Sequence, residues 1–181
     1  MQKRLAGFTV MEVLIVMVVL GILAALVYNA FGGSQERAYF ERAKTELTTM
    51  SNALKLYAAK YNDYPADQSR GVPAGIKEFI NTNDVNNDWP AAPWPGSVYD
   101  YDRWLIPGDT EDTYQISIRF CPAGAANTNQ CKFPHEDWAK NFGVDSAVYW
   151  CIKGNCRSHV SQPATYPGYC VNCPGNKAIG T

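Results

Sequence analysis

The sequence predicts an α+β fold: a long N-terminal α-helix packed on a small antiparallel sheet, with a disulfide-stapled, loop-rich C-terminal region. Three observations carry this. An apolar run of 24 residues (8–31) opens the chain, an apolar stripe at helical spacing follows it, and short strand-like runs among Gly, Pro and Asn fill the rest, where all six cysteines lie after residue 120. At 181 residues the chain holds one domain of ordinary size plus an appended segment. An apolar share of 46% and a net charge of −1 fit a folded protein. No basic patch stands out, so nucleic acid is not expected as a partner.

Between residues 8 and 31 the only Asp, Glu, Lys, Arg or His is Glu12. As a helix this run would reach about 36 Å, against a hydrocarbon thickness of roughly 30 Å, so it predicts a single membrane span. Lys3 and Arg4 place the N-terminus in the cytoplasm and the later residues outside, where cysteines usually pair. A cleaved secretory signal is the rival, but Ala24 and Ala25 sit inside the run with Leu26, Val27 and Tyr28 following, a poor cleavage site. A plain signal anchor leaves Glu12 unexplained. A carboxylate in lipid costs about 2.5–3.5 kcal/mol and is a functional candidate by default.

After Gly32, Gly33 and Ser34, the residues Phe40, Ala43, Leu47, Met50, Leu54, Tyr57 and Tyr61 recur at alternating spacings of three and four. This is one apolar stripe, and charged residues dress the other faces. Asn62, Asp63 and Pro65 end the helix. A continuous helix from Phe8 to Tyr61 would reach about 81 Å. Its first half is hydrophobic all round and needs neighbours once it leaves lipid, which a filament core of packed helices would supply.

"GSVYDYDRWLI" (96–106), "TYQISIRF" (113–120) and "SAVYWCI" (146–152) read as strands, the second alternating as a half-buried strand does; "GIKEFI" (75–80) reads as a helical turn or two. Cys121, Cys131, Cys151, Cys156, Cys170 and Cys173 allow fifteen connectivities. Short loops favour Cys121 with Cys131 and Cys151 with Cys156; Cys170 with Cys173 closes a tight loop, so crossing pairs among the last four stay open. Their expected role is stapling a head with little core of its own.

Sharper chemistry finds little support. Cys151, Cys156, His159, Cys170 and Cys173 have spacings compatible with zinc, and "CVNC" has the thioredoxin spacing without its strand-then-helix context. Pro174 follows Cys173, so haem attachment is excluded. His135 and His159 stand in polar loops, with no nucleophile elbow or phosphate loop, so no catalytic residue, metal or cofactor is assigned and no enzyme is expected. Asp109, Glu111 and Asp112 read as solvated turn residues.

The stretch "KRLAG/FTVMEVLIVMVVLGILAAL" resembles the N-terminus of type IV pilins and of the pseudopilins of type II secretion, prepilins with a class III signal peptide. The resemblance covers roughly residues 4 to 120, and "KLYAAKYNDYPAD" and, loosely, "WPAAPWPGSVYDYDRW" extend it beyond the first helix. It implies the pilin fold, cleavage by a prepilin peptidase between Gly7 and Phe8, and N-methylation of Phe8. It also implies that Glu12 neutralises the N-terminus of an adjacent subunit during assembly. Two opposite charges about 4 Å apart attract by roughly 4 kcal/mol at an effective dielectric near 20, enough to offset the insertion cost and set the register of packed helices.

The expected organisation is a leader at 1–7, a membrane and filament-core helix at 8–31, an amphipathic helix at 32–62 and a globular head at 63–181. The expected function is a homo-oligomeric pilus subunit for adhesion or twitching motility, with a major-type pseudopilin as the alternative. The precursor would sit in the inner membrane and the assembled pilus outside the cell. An assembly ATPase and a membrane platform protein must act in trans, since the chain holds no nucleotide motif. Two departures from the family stand out. Val10 and Met11 replace the usual leucines, and no proline precedes Pro65, so Gly21, or Gly32 with Gly33, would have to loosen the helix. The calcium loop common in major pseudopilins is not found.

Overall fold

The structure is a computed structural model that describes residues 8–80, 89–105, 107–122, 128–160, 166–175 and 178–179; the side chains at 27–33, 128 and 178–179 lie outside the described set. Helix α1 (Val10–Tyr61) precedes five strands: β1 (Ser97–Trp104), β2 (Thr113–Phe120), β3 (Ala147–Lys153), β4 (Gly168–Cys170) and β5 (Ala178–Ile179). The chain forms two compact units, Met1–Ala38 and Tyr39–Thr181.

The first unit contains the apolar part of α1, which passes through Gly21, Gly32 and Gly33 without a break. Glycine costs a helix roughly 0.5–1 kcal/mol relative to alanine, and the leucines, valines and alanines around these positions carry that cost. Among the described residues no helix is long and apolar enough to cross a membrane. The span expected over 8–31 runs into positions 27–31, whose side chains are among those not described.

In the second unit the predicted stripe is the buried face of α1. Ala43, Leu47, Met50 and Leu54 are at most 1% exposed, and Ala53 and Ser51 widen the stripe. Phe40 and Tyr57 pack at its edges, while Tyr61 is half exposed. Asn62, with φ of 62°, takes the left-handed conformation that stops the helix, and its successor Asp63 accepts the Tyr64 N–H at 2.8 Å. The expected turn in "GIKEFI" is a 3-10 turn at Ile76–Glu78, with Ile76 buried in the core.

The sheet order is β1-β2-β3-β4-β5. The expectation of a wholly antiparallel sheet is corrected at one place: β3 and β4 are parallel. Parallel neighbours need a crossover of a dozen or more residues, and the segment between Lys153 and Gly168 provides one.

A second correction concerns β2, expected to be half-buried: all eight of its residues are buried. Its alternation is one of polarity, not exposure. Ile116, Ile118 and Phe120 join the hydrophobic core together with Leu47, Met50 and Leu54 of α1. Thr113, Gln115, Ser117 and Arg119 face the other way and are equally covered. The cover is the start of the crossover. Asn155 N–H donates to Thr113 Oγ1 at 3.0 Å, and Arg157 N–H donates to Gln115 Oε1 at 3.0 Å. Gln115 Nε2 in turn donates to the Arg157 carbonyl at 2.8 Å. Gly154 makes this close approach possible, since a Cβ there would come within 2.8 Å of the Asp112 carbonyl and of Thr113.

The cysteines form three local bridges: Cys121 with Cys131, Cys151 with Cys156 and Cys170 with Cys173. Asn172, inside the last loop, ties two bridges together. Its side chain accepts the Cys151 N–H at 2.8 Å and donates to the Cys151 carbonyl at 2.7 Å.

Candidate functional site

The residue types singled out at the head of the chain meet at the first turn of α1. Thr9 is the residue before the helix and Glu12 is its third helical residue. Glu12 Oε2 accepts the Thr9 backbone N–H at 2.8 Å and the Thr9 hydroxyl at 2.7 Å. The Glu12 N–H donates back to Thr9 Oγ1 at 3.3 Å. This is a reciprocal capping box, which satisfies helix-end donors that would otherwise lack partners. A carboxylate in the first turn also meets the positive end of the helix dipole.

The threonine-x-x-glutamate spacing of a capping box is legible in the sequence, beside the expected pairing of Glu12 with another subunit. The structure gives it a local task as well. Both of its bonds fall on Oε2, so Oε1 can take a further donor without dismantling the cap. Phe8, directly before the cap, is 88% exposed. Gly7, the other residue of the expected cleavage site, lies outside the described residues, as does the rest of the expected leader at 1–7.

Beyond the cap the surface is apolar on all sides. Fourteen large apolar side chains between positions 8 and 26 are 48–88% exposed. At about 1.5–3 kcal/mol for each side chain fully buried, covering what remains exposed of them is worth on the order of 10–25 kcal/mol. Exposed apolar surface of this extent marks a membrane or protein interaction site.

The other weighed candidates resolve differently. All six cysteines are in disulfides, so the zinc arrangement has no thiolates to offer and "CVNC" is a closed bridge. Among the described residues no group of three or more His, Cys, Asp or Glu is placed to hold a metal ion. The acids at 109–112 are split among separate partners. Glu111 pairs with Lys153 at 2.9 Å and Asp112 with Arg103 at 3.1 Å, while Asp109 accepts from Asn155 at 3.4 Å.

Comparison with known proteins agrees with this placement. The family model for the prokaryotic N-terminal methylation motif matches residues 2–28, which include Gly7, Phe8 and Glu12. The chain is 37% identical over 99 residues to the type II secretion system core protein G of Aeromonas hydrophila, covering 55% of this chain and 62% of that protein. It is 33% identical over 115 residues to core protein G of Vibrio cholerae, covering 60% of this chain and 75% of that one. The type IV major pilin protein PilA of Myxococcus xanthus is 27% identical over 189 aligned positions, covering 94% of this chain and 80% of the pilin. No solved structure gives a significant match. A capped apolar helix carrying the methylation motif, an amphipathic continuation packed on a sheet, and relatives of both kinds lead to one conclusion: the chain belongs to the family of type IV pilins and type II secretion pseudopilins.

Proposed function

We propose that the chain is a structural subunit of a type IV pilus, drawn from the membrane into a surface filament for adhesion or twitching motility. One observation carries the choice of pilus over secretion. The similarity to the Myxococcus pilin runs along 94% of the chain and so takes in most of the cysteine-bearing C-terminal region, whereas the secretion proteins align over 55–60%. A pseudopilin of type II secretion is the second reading, favoured by the higher identities of those relatives, 33–37%.

The mechanism rests on the first helix. Residues 8–31 hold the precursor in the inner membrane, with the basic leader on the cytoplasmic side. A prepilin peptidase cuts between Gly7 and Phe8 and the new amine of Phe8 is methylated. Glu12 then has two donors to serve: the Thr9 cap within its own chain and the Phe8 amine of a neighbour. A neighbouring amine meeting Oε1 fixes the axial register as the exposed apolar surface passes from lipid to packed helices. An ATPase and a membrane platform protein drive extraction, and the disulfide-bridged head forms the outer surface.

Intact-mass spectrometry on sheared surface filaments and on membranes tests this. A filament species starting at methylated Phe8 and six mass units light for three disulfides is the expected result. A cut form confined to membranes supports the pseudopilin instead, and an uncut chain starting at Met1 overturns both.

A further inference from the structure

The head carries an apolar cleft of about 370 Å³, lined by Val72, Trp89, Pro90, Trp94, Pro95 and Val98. Its walls are fixed from behind. Trp94 is 1% exposed and packs edge-on against Tyr39 at 6.1 Å and Phe120 at 5.4 Å. The loop over residues 89–96 is tied at two points: Arg42 Nη2 donates to the Ala91 carbonyl at 2.7 Å, and the Lys132 N–H donates to the Pro95 carbonyl at 2.9 Å. Glu46 holds Arg42 at 2.8 Å and accepts the Tyr99 hydroxyl at 2.6 Å. A cleft held open in this way needs little ordering when it is filled.

The head also presents side chains of matching character. Among its described residues four large apolar side chains are at least half exposed: Leu56, Tyr61, Leu105 and Val144. A single exposed apolar residue is ordinary. Leu105, at 59% the most exposed of the four, differs in place and in charge. It follows Trp104 at the end of β1, in the connection to β2. Leu56 and Tyr61 instead lie on α1, and Val144 adjoins Asp145, which pairs with Arg70 of the cleft itself.

Charge distinguishes the two places. The connection over 105–112 carries Asp109, Glu111 and Asp112 and no Lys or Arg. Arg42, Arg70 and Lys132 flank the cleft. Pairs within the chain cancel part of this: Glu111 with Lys153, Asp112 with Arg103, Arg42 with Glu46 and Arg70 with Asp145. The balance stays negative at the hairpin and positive at the cleft. Tyr99, at the cleft, and Leu105 stand six residues apart, about 20 Å along an extended strand, so the two features cannot meet within one chain.

We propose that Leu105 of one subunit seats in the cleft of the next, with the acids of its hairpin meeting the basic rim. A knob and a pocket at different places on one chain make a head-to-tail contact, which repeats as an open helical array unless its rotation closes a ring. The contact rests on the reading of the chain as a filament subunit. It acts between heads, whereas the pairing of Glu12 acts between helices.

The full-length chain carrying Leu105→Cys and Ala91→Cys together, treated with a short bismaleimide in sheared filaments and in membranes, tests it. The native cysteines are all in bridges and give no background. Ala91 is exposed and holds Arg42 through its backbone, so its side chain can be exchanged. The double variant should give a ladder of dimers, trimers and higher species, and neither single variant should give any. Leu105→Asp should lower the yield of sheared filaments at least about tenfold, since a carboxylate entering an apolar cleft loses its hydration. An unchanged yield overturns the contact, and so do dimers from a single variant, which would mean a two-fold interface. Filaments sheared from the double variant without a ladder overturn the contact and leave the filament reading standing. If the wild type yields no filaments, that reading fails by itself and the membrane fraction decides: a ladder there supports the contact between heads, and its absence overturns it.

Discussion

The two compact units solve the same problem, apolar surface on a helix, in opposite ways. In Tyr39–Thr181 the helix buries one stripe against a sheet of its own chain, with Leu47, Met50 and Leu54 fully covered. In Met1–Ala38 the described helix covers nothing: Leu20 and Ile22 are each 57% exposed. The head therefore carries its own stability, while the N-terminal unit keeps its apolar surface available to lipid or to other subunits. The polar devices differ in the same sense. In the head, ionic groups are sunk beneath a crossover, whereas at the N-terminus one exposed carboxylate caps its own helix and keeps an oxygen available.

The comparison breaks most completely at Glu12. Glu12→Gln keeps an acceptor for the Thr9 cap but removes the charge, so leader cleavage should proceed while filaments disappear from the sheared surface fraction. Normal filaments from that variant would leave the cap, not charge pairing, as the role of Glu12. Next in size, Leu47→Ala should destabilise the head by about 2–5 kcal/mol, as buried leucine truncations do. Leu20→Ala should leave head unfolding in detergent unchanged, and denaturant titration of both variants measures the contrast. The smallest effect concerns the bridges. Removing Cys121 and Cys131 together should cost about 2.7 kcal/mol, and removing Cys170 and Cys173 about 1.6 kcal/mol, because the loops they close shorten from ten residues to three. Equal losses would mean that native contacts such as the Asn172 clamp, not loop entropy, set their worth.

Much of this was legible along the chain because it depends on local spacing. The apolar run, the three-and-four stripe and the three strand runs all follow from periodicity, and β2 falls on Thr113–Phe120 as the alternation predicts. The capping box is equally legible in Thr9 and Glu12, which stand three residues apart. The parallel pairing of β3 with β4 was not legible, since a crossover with no periodic pattern of its own leaves no signal of where its far end returns.

The sequence by itself determined the long helix, its division into an all-round apolar part and a one-sided part, and the family motif at its head. These rest on periods of two and 3.6 residues and on residues a few positions apart. Only the tertiary structure decided that the polar side of β2 is buried, that Asp100 and Asp102 share Arg119, and that Gln115 joins Asp102 to residue 157. A β-strand's pattern reports which side chains share a face, but burial of that face depends on a segment forty residues further along folding back over it.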